Sequence, residues 1–176
     1  MASWLELTQQ WLTSARAMGL VFAASVIVLG AALLSQYVGG LQPCVLCLFQ
    51  RVPYALTIFL SGSVLALLAF GGQSWPTLTR GALTVCAVLF FAGAGIAAYH
   101  VGVEQGWWSG TTSCSGPNLN AMMIDELREH LLSAPIVRCD EAAWSLLGIS
   151  LSGYNFLTSL ALSGACIWLA RSTGRP

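Results

Sequence analysis

The chain has 176 residues, of which 56% are hydrophobic and only 8% charged, against about 25% charged in an ordinary soluble domain. Seven arginines, no lysine and seven acidic residues give a net charge of zero, which excludes both a basic nucleic-acid-binding surface and an acidic tail. The composition points to a lipid environment, so a protein partner must be recognised through specific groups.

In chain order, four apolar stretches reach the length of a membrane-spanning helix: Ala17 to Tyr37, Cys47 to Phe70, Gly81 to Val101, and Leu146 to Leu169. The expected fold is an all-α membrane protein, one integral membrane domain over residues 1–176 with a four-transmembrane-helix bundle. The first stretch is too long and too far from the N-terminus for a plain signal peptide, and no small-residue cleavage site follows it. It is expected to remain in the mature protein. Upstream, Trp4, Leu5, Leu7, Trp11 and Leu12 suit an interfacial position.

The connections between spans are unequal: residues 38–46, residues 71–80, and one long segment over 102–145. Arg16, Arg80, Arg171 and Arg175 flank the ends that share one side, and the short connection opposite has no arginine. The positive-inside rule therefore places both termini and the 71–80 loop in the cytoplasm. The 38–46 and 102–145 loops are then on the exported side, which in a bacterium is the oxidising periplasm. Within the long loop, Asn120 to Leu132 has Met123, Leu127 and Leu131 at helical spacing. It reads as a short amphipathic helix that either lies on the bilayer surface or packs on the tops of the spans. Trp107, Trp108 and Trp144 bracket the loop like an aromatic belt.

Six cysteines divide by position. Cys86 and Cys166 lie inside apolar runs and read as packing thiols, whereas Cys44, Cys47, Cys114 and Cys139 lie at or beyond the ends of such runs. On the topology above, all four face the oxidising compartment. Pro43 suits a first helical turn, so the second span is expected to open there with Cys44 and Cys47 in it. Thiolate is the reactive form, and both a helix N-terminus and a nearby cation favour it. Arg51, four residues after Cys47, is expected to supply that cation from the same face. It could otherwise be an anchor snorkelling to the interface. Pro53 frees the carbonyl of Phe49 within this span.

A CxxC is a redox pair, half of a zinc site or chance. Zinc usually takes about four ligands, and beyond this pair the chain offers His100, His130 and two distant cysteines, so no metal site is expected. Cys114 and Cys139 suit either a redox pair or a structural staple. At the end of the third span, Tyr99, His100, Glu104 and Gln105 reach the level of the dithiol. An imidazole there can hydrogen-bond a quinone oxygen or move protons, or simply be satisfied at a helix end.

These residues together resemble a known family, bacterial disulfide bond formation protein B (DsbB). The resemblance covers nearly the whole chain. It rests on Gln42-Pro43-Cys44-Val45-Leu46-Cys47, Gln50-Arg51-Val52-Pro53-Tyr54, Tyr99-His100-Val101-Gly102-Val103-Glu104, the Cys114 and Cys139 pair, and Trp144 with Leu147-Gly148. It implies an enzyme that reoxidises a periplasmic DsbA-like, thioredoxin-fold dithiol protein and passes the electrons to ubiquinone or menaquinone. Attack on the loop disulfide at Cys114 would release Cys139 to exchange with Cys44 or its partner. Cys47 would then give electrons to the quinone, which Arg51 and His100 would contact. Some relatives carry an acidic residue where this chain has Gln50. The competing readings are a quinone-linked enzyme of the vitamin K epoxide reductase type, whose CxxC lies near the end of the bundle in sequence, and a non-enzymatic membrane protein with structural loop disulfides.

Overall fold

The computed structural model describes residues 4–71, 75–111, 114 and 137–173, and within the first helix the side chains of residue 10 and of residues 13 onward. The amphipathic segment expected over Asn120 to Leu132 and the side chains of Trp4, Leu5, Leu7, Trp11 and Leu12 fall outside this description. Four long helices form the bundle: α1 (Trp4–Tyr37), α2 (Val45–Gly71), α3 (Pro76–Glu104) and α4 (Leu151–Ser172), with a two-stranded hairpin, β1 (Ser145–Leu146) and β2 (Ile149–Ser150), just before α4. Each contains a segment long and apolar enough to cross a membrane: Thr13–Tyr37, Val45–Gly71, Pro76–Glu104 and Leu151–Ser172. The outer faces expose Leu20, Ile27, Phe59, Phe70, Phe91 and Trp168, as lipid-facing surfaces do.

α3 and α4 make the most extensive helix pair. α1 leans on α2 and touches α4 little. Close approach depends on small residues, as is usual where the solvent is itself apolar. A β-carbon added at Gly93 would lie 3.2 Å from Cγ of Pro53. The missing side chain thus makes room for the pyrrolidine ring of α2. One buried cluster, including Met18, Tyr54, Leu83, Phe90, Cys86 and Cys166, fills the bundle. A second, at the α2 N-terminus, gathers Cys44, Leu46, Val103, Cys114 and Cys139.

The fourth helix starts later than the apolar run from Leu146 suggested. Leu147 and Gly148 both have positive φ, 52° and 77°, the conformation of a tight hairpin turn. Residues 145–150 therefore fold back as paired strands, Ser145 opposite Ser150 and Leu146 opposite Ile149. Ser150 then caps α4, its hydroxyl accepting from the Gly153 N–H at 3.2 Å.

At its other end α3 runs on to Glu104, which carries His100 and Glu104 one turn apart. Gly102 lies under the Trp108 ring, where an added β-carbon would meet the indole at 2.0 Å. Trp108 Nε1 donates to the Tyr99 carbonyl at 2.9 Å, and its ring stacks on Tyr99. Gly102→Ala should therefore evict the indole and destabilise the protein by about 1–3 kcal/mol, the range for overpacking. The expected readings are a lower thermal midpoint in detergent and red-shifted tryptophan emission. An unchanged midpoint and spectrum would contradict this packing.

Candidate functional site

Cys44 occupies the capping position of α2 and Pro43 precedes it. This corrects the expectation that Pro43 opens the helix. The Cys44 carbonyl accepts from the Leu48 N–H at 3.2 Å, and its sulfur accepts from the Cys47 N–H at 3.3 Å. Cys44 thus fills the place that Ser or Asp fills elsewhere, satisfying an N–H that the helix leaves open. Cys44 and Cys47 are free thiols, and their sulfurs lie 3.0 Å apart, within hydrogen-bonding reach.

A third group converges on that sulfur from α3: His100 Nε2 at 3.5 Å. The tautomer follows from the neighbour on the other side of the ring. The Gln50 amide nitrogen, which can only donate, lies 2.7 Å from His100 Nδ1, so Nδ1 accepts and Nε2 carries the hydrogen directed at Cys44. The Gln50 oxygen in turn accepts from the Asn155 amide at 2.6 Å. The Asn155 oxygen accepts from the Tyr54 hydroxyl at 2.7 Å, and Tyr54 meets Ser159 at 2.7 Å. A continuous polar chain therefore crosses the buried junction of α2, α3 and α4.

The Cys44 thiol is held well below the ordinary thiol range. The hydrogen bond from the Cys47 thiol contributes most, burial opposes it, and His100 and the Cys47 N–H add to the lowering. Glu104 completes the ring of polar groups. Its Oε1 lies 3.8 Å from His100 Nε2, and its Oε2 accepts 2.5 Å hydrogen bonds from Ser150 and Ser152.

Arg51 sits differently from the sequence expectation. Its guanidinium donates to the Gln36 side chain at 2.5 Å and to the Ala32 carbonyl at 3.4 Å, both on α1. The basic group in contact with the dithiol is therefore His100, while Arg51 bridges α1 and α2 at the edge of the same cavity. That cavity, about 330 Å³, is walled on one side by Ile27, Val28 and Ala31 and on the other by Cys44, Cys47 and His100. Arg51, Gln50, Glu104 and Asn155 also line it.

Cys114 and Cys139 are joined as a disulfide and are buried in the same cluster as Cys44. The four cysteines at the span ends thus gather at one end of the bundle, while Cys86 and Cys166 are buried in the other cluster. Gln50, Asn155, Tyr54 and the two serines were not singled out as site residues from the sequence. Gln50 and Tyr54 lay inside the quoted motif, but no local signal marked Asn155, whose partners are about a hundred positions away.

With this geometry in view, relationships to known proteins decide the family. The profile described as Disulfide bond formation protein DsbB matches residues 14–169. The chain belongs to the DsbB family. A disulfide bond formation protein B of Saccharophagus degradans is 32% identical over 85% of this chain and 88% of its own length. Those of Acinetobacter baumannii and Chromohalobacter salexigens are 30% and 34% identical, the first over 85% of this chain and 86% of its own length, the second over 80% and 79%. No solved structure matches the chain. The DsbB assignment makes this a multi-pass membrane protein of a disulfide-forming family.

The lowered Cys44 pKa has a testable sign. A depressed pKa keeps the thiolate as pH falls, so the thiolate absorbance of the reduced protein, minus that of Cys44→Ser, should persist well below pH about 8.5, the ordinary thiol value. In His100→Ala the inflection should move upward. An inflection at or above the ordinary value in the unsubstituted protein would overturn this account of the site.

Proposed function

We propose that this protein is a quinone-dependent protein-dithiol oxidase of the bacterial inner membrane. In this reading it reoxidises a periplasmic DsbA-like protein of thioredoxin fold and delivers two electrons and two protons to ubiquinone or menaquinone. Both termini are cytoplasmic and the four redox cysteines, Cys44, Cys47, Cys114 and Cys139, are periplasmic. The reading is carried by one observation: among the described residues, two cysteine pairs share a single buried cluster, and the helix-borne pair also lines a cavity with an aliphatic wall on α1.

The cavity suits a quinone. Its volume falls within the roughly 300–1,000 Å³ usual for small-molecule sites, its α1 wall is aliphatic, and its opposite wall carries hydrogen-bond donors. Arg51 and His100 would hold the carbonyl oxygens, and the bound quinone would supply a two-electron, two-proton acceptor. Everything else falls to the chain. The partner's thiolate attacks Cys114, opening the loop disulfide and releasing the Cys139 thiolate. Cys139 and Cys44 form an interloop disulfide as the helix-borne pair opens, and Cys47 is left as the thiolate facing the cavity. Attack of the partner's second thiol on the Cys114 mixed disulfide releases the oxidised partner. The Cys114 thiolate then displaces Cys44 from Cys139, which restores the loop disulfide and leaves the reducing electrons on the helix-borne pair. Before a quinone binds, His100 holds its proton next to Cys44, in the tautomer that Gln50 fixes.

Cys44→Ser and Cys47→Ser should each abolish oxidation of a reduced DsbA-like protein by the purified enzyme with ubiquinone, and full turnover by either would sink the assignment. Cys86→Ala and Cys166→Ala should retain near-normal turnover. Arg51→Ala should raise the apparent quinone KM about tenfold or more, the scale of a lost charged hydrogen bond. Slower oxidation of the protein substrate with quinone handling intact would show that Arg51 acts elsewhere.

A further inference from the structure

Apart from electron transfer, the same donors match the requirements of a soft metal ion. Sγ of Cys44, Sγ of Cys47 and Nε2 of His100 all lie within 4.8 Å of one another. In a tetrahedral zinc site, Zn–S of about 2.3 Å and Zn–N of about 2.0–2.1 Å put sulfur and nitrogen ligands about 3.5 Å apart and two sulfurs about 3.8 Å apart. The Cys44 to His100 distance is 3.5 Å. The sulfurs, 3.0 Å apart, need to open by less than 1 Å. Glu104 supplies a carboxylate oxygen 3.8 Å from the same imidazole nitrogen, in a side chain only 7% exposed.

We propose that the reduced Cys44 and Cys47 thiols with His100 form a binding site for a thiophilic cation of the Zn²⁺ class, with the Glu104 carboxylate or a water as fourth ligand. Thiolate and imidazole donors select such ions over hard cations. Binding exchanges thiol protons for the metal and moves no electrons. The disulfide form, whose sulfurs are already bonded to each other, has no thiolate to offer. The site therefore exists in one redox state only, and an occupied site withholds the dithiol from oxidation.

The polar chain behind His100 permits this. Coordination through Nε2 requires the proton on Nδ1, facing Gln50. The Gln50 amide meets it by turning its oxygen to the ring. Asn155 and Tyr54 then reverse in turn, so that Asn155 accepts from Gln50 and donates to Tyr54, which donates to Ser159. Every group keeps a partner in both directions, and a metal-bound histidine acquires the carbonyl acceptor that such ligands usually have.

The proposal depends on the positions of these side chains and not on the oxidase reading, since metal binding is measured without quinone or protein substrate. The test is anaerobic titration with Cd²⁺ alone, followed by Zn²⁺ competition. It uses the full chain in detergent, reduced, with Cys86→Ala, Cys166→Ala, Cys114→Ser and Cys139→Ser leaving only the helix-borne pair. One Cd²⁺ per chain with a sulfur-to-cadmium charge-transfer band, displaced by Zn²⁺, is expected for the reduced protein and none for the oxidised protein. His100→Ala should weaken binding at least tenfold, and His100→Cys should restore it. Equal affinity in His100→Ala, or equal binding by the oxidised protein, would overturn the proposal. If the four substitutions impair folding, the reduced native chain answers the same question: His100→Ala must remove one metal equivalent from its total, and an unchanged total refutes the site.

Discussion

The contact between the Cys44 sulfur and His100 Nε2 is the constraint on which the rest of this end of the molecule depends. It joins the cap of α2 to the last turn of α3, and it is backed by Gln50, Asn155, Tyr54 and Ser159 in one hydrogen-bonded line. Unpaired polar groups are expensive inside an apolar bundle. The line therefore fixes the relative height of three helices, because sliding any one by a turn, about 5.4 Å, would strand several groups at once. Gly93 and Gly102 serve that alignment from the packing side, the first by admitting Pro53 and the second by admitting the Trp108 ring.

The site divides its ionisable groups by task. His100 works at the sulfur, in a tautomer dictated by a neutral amide. Arg51 is tied to α1 through Gln36 and Ala32, so α1, which touches α3 and α4 little, is still fastened at the height of the dithiol. Glu104 is held by two serines beside the α4 cap. The start of α4 is thus registered to the end of α3 by a carboxylate that also faces the imidazole.

Much of this was legible in the sequence, and the misses have physical causes. Four apolar stretches of spanning length fix the helix count whatever their packing. Their division by loops separates Cys86 and Cys166 from the other four cysteines. The start of α4 was misread because Leu146 to Ile149 continues an apolar run, and hydropathy does not distinguish a hairpin from a helix. The deciding feature is a backbone conformation at Leu147 and Gly148. The i+4 spacing from Cys47 suggested that Arg51 supplies a cation to the dithiol, but spacing locates the root of a long side chain and not its head, which reaches Gln36 and Ala32 on α1. Asn155 had no local signature, since its meaning comes wholly from Gln50 and Tyr54 on another helix. Cys44 as a cap was hidden by Pro43, which suits the first helical position as well as the one before the cap.

The hairpin ahead of α4 bears on how a loop thiol behaves once its disulfide opens. Ser145 is pinned by its pairing with Ser150, and the six peptide units back to Cys139 span at most about 20 Å when fully extended. A Cys139 thiol on so short a tether, starting in the same buried cluster as Cys44, would sample Cys44, its target in the proposed mechanism, at an effective concentration of roughly the millimolar range. A freely diffusing thiol would need to be present at that level to intercept the exchange. In the proposed relay, fidelity would therefore be set by the length of an arm as well as by the reactivity of its sulfur.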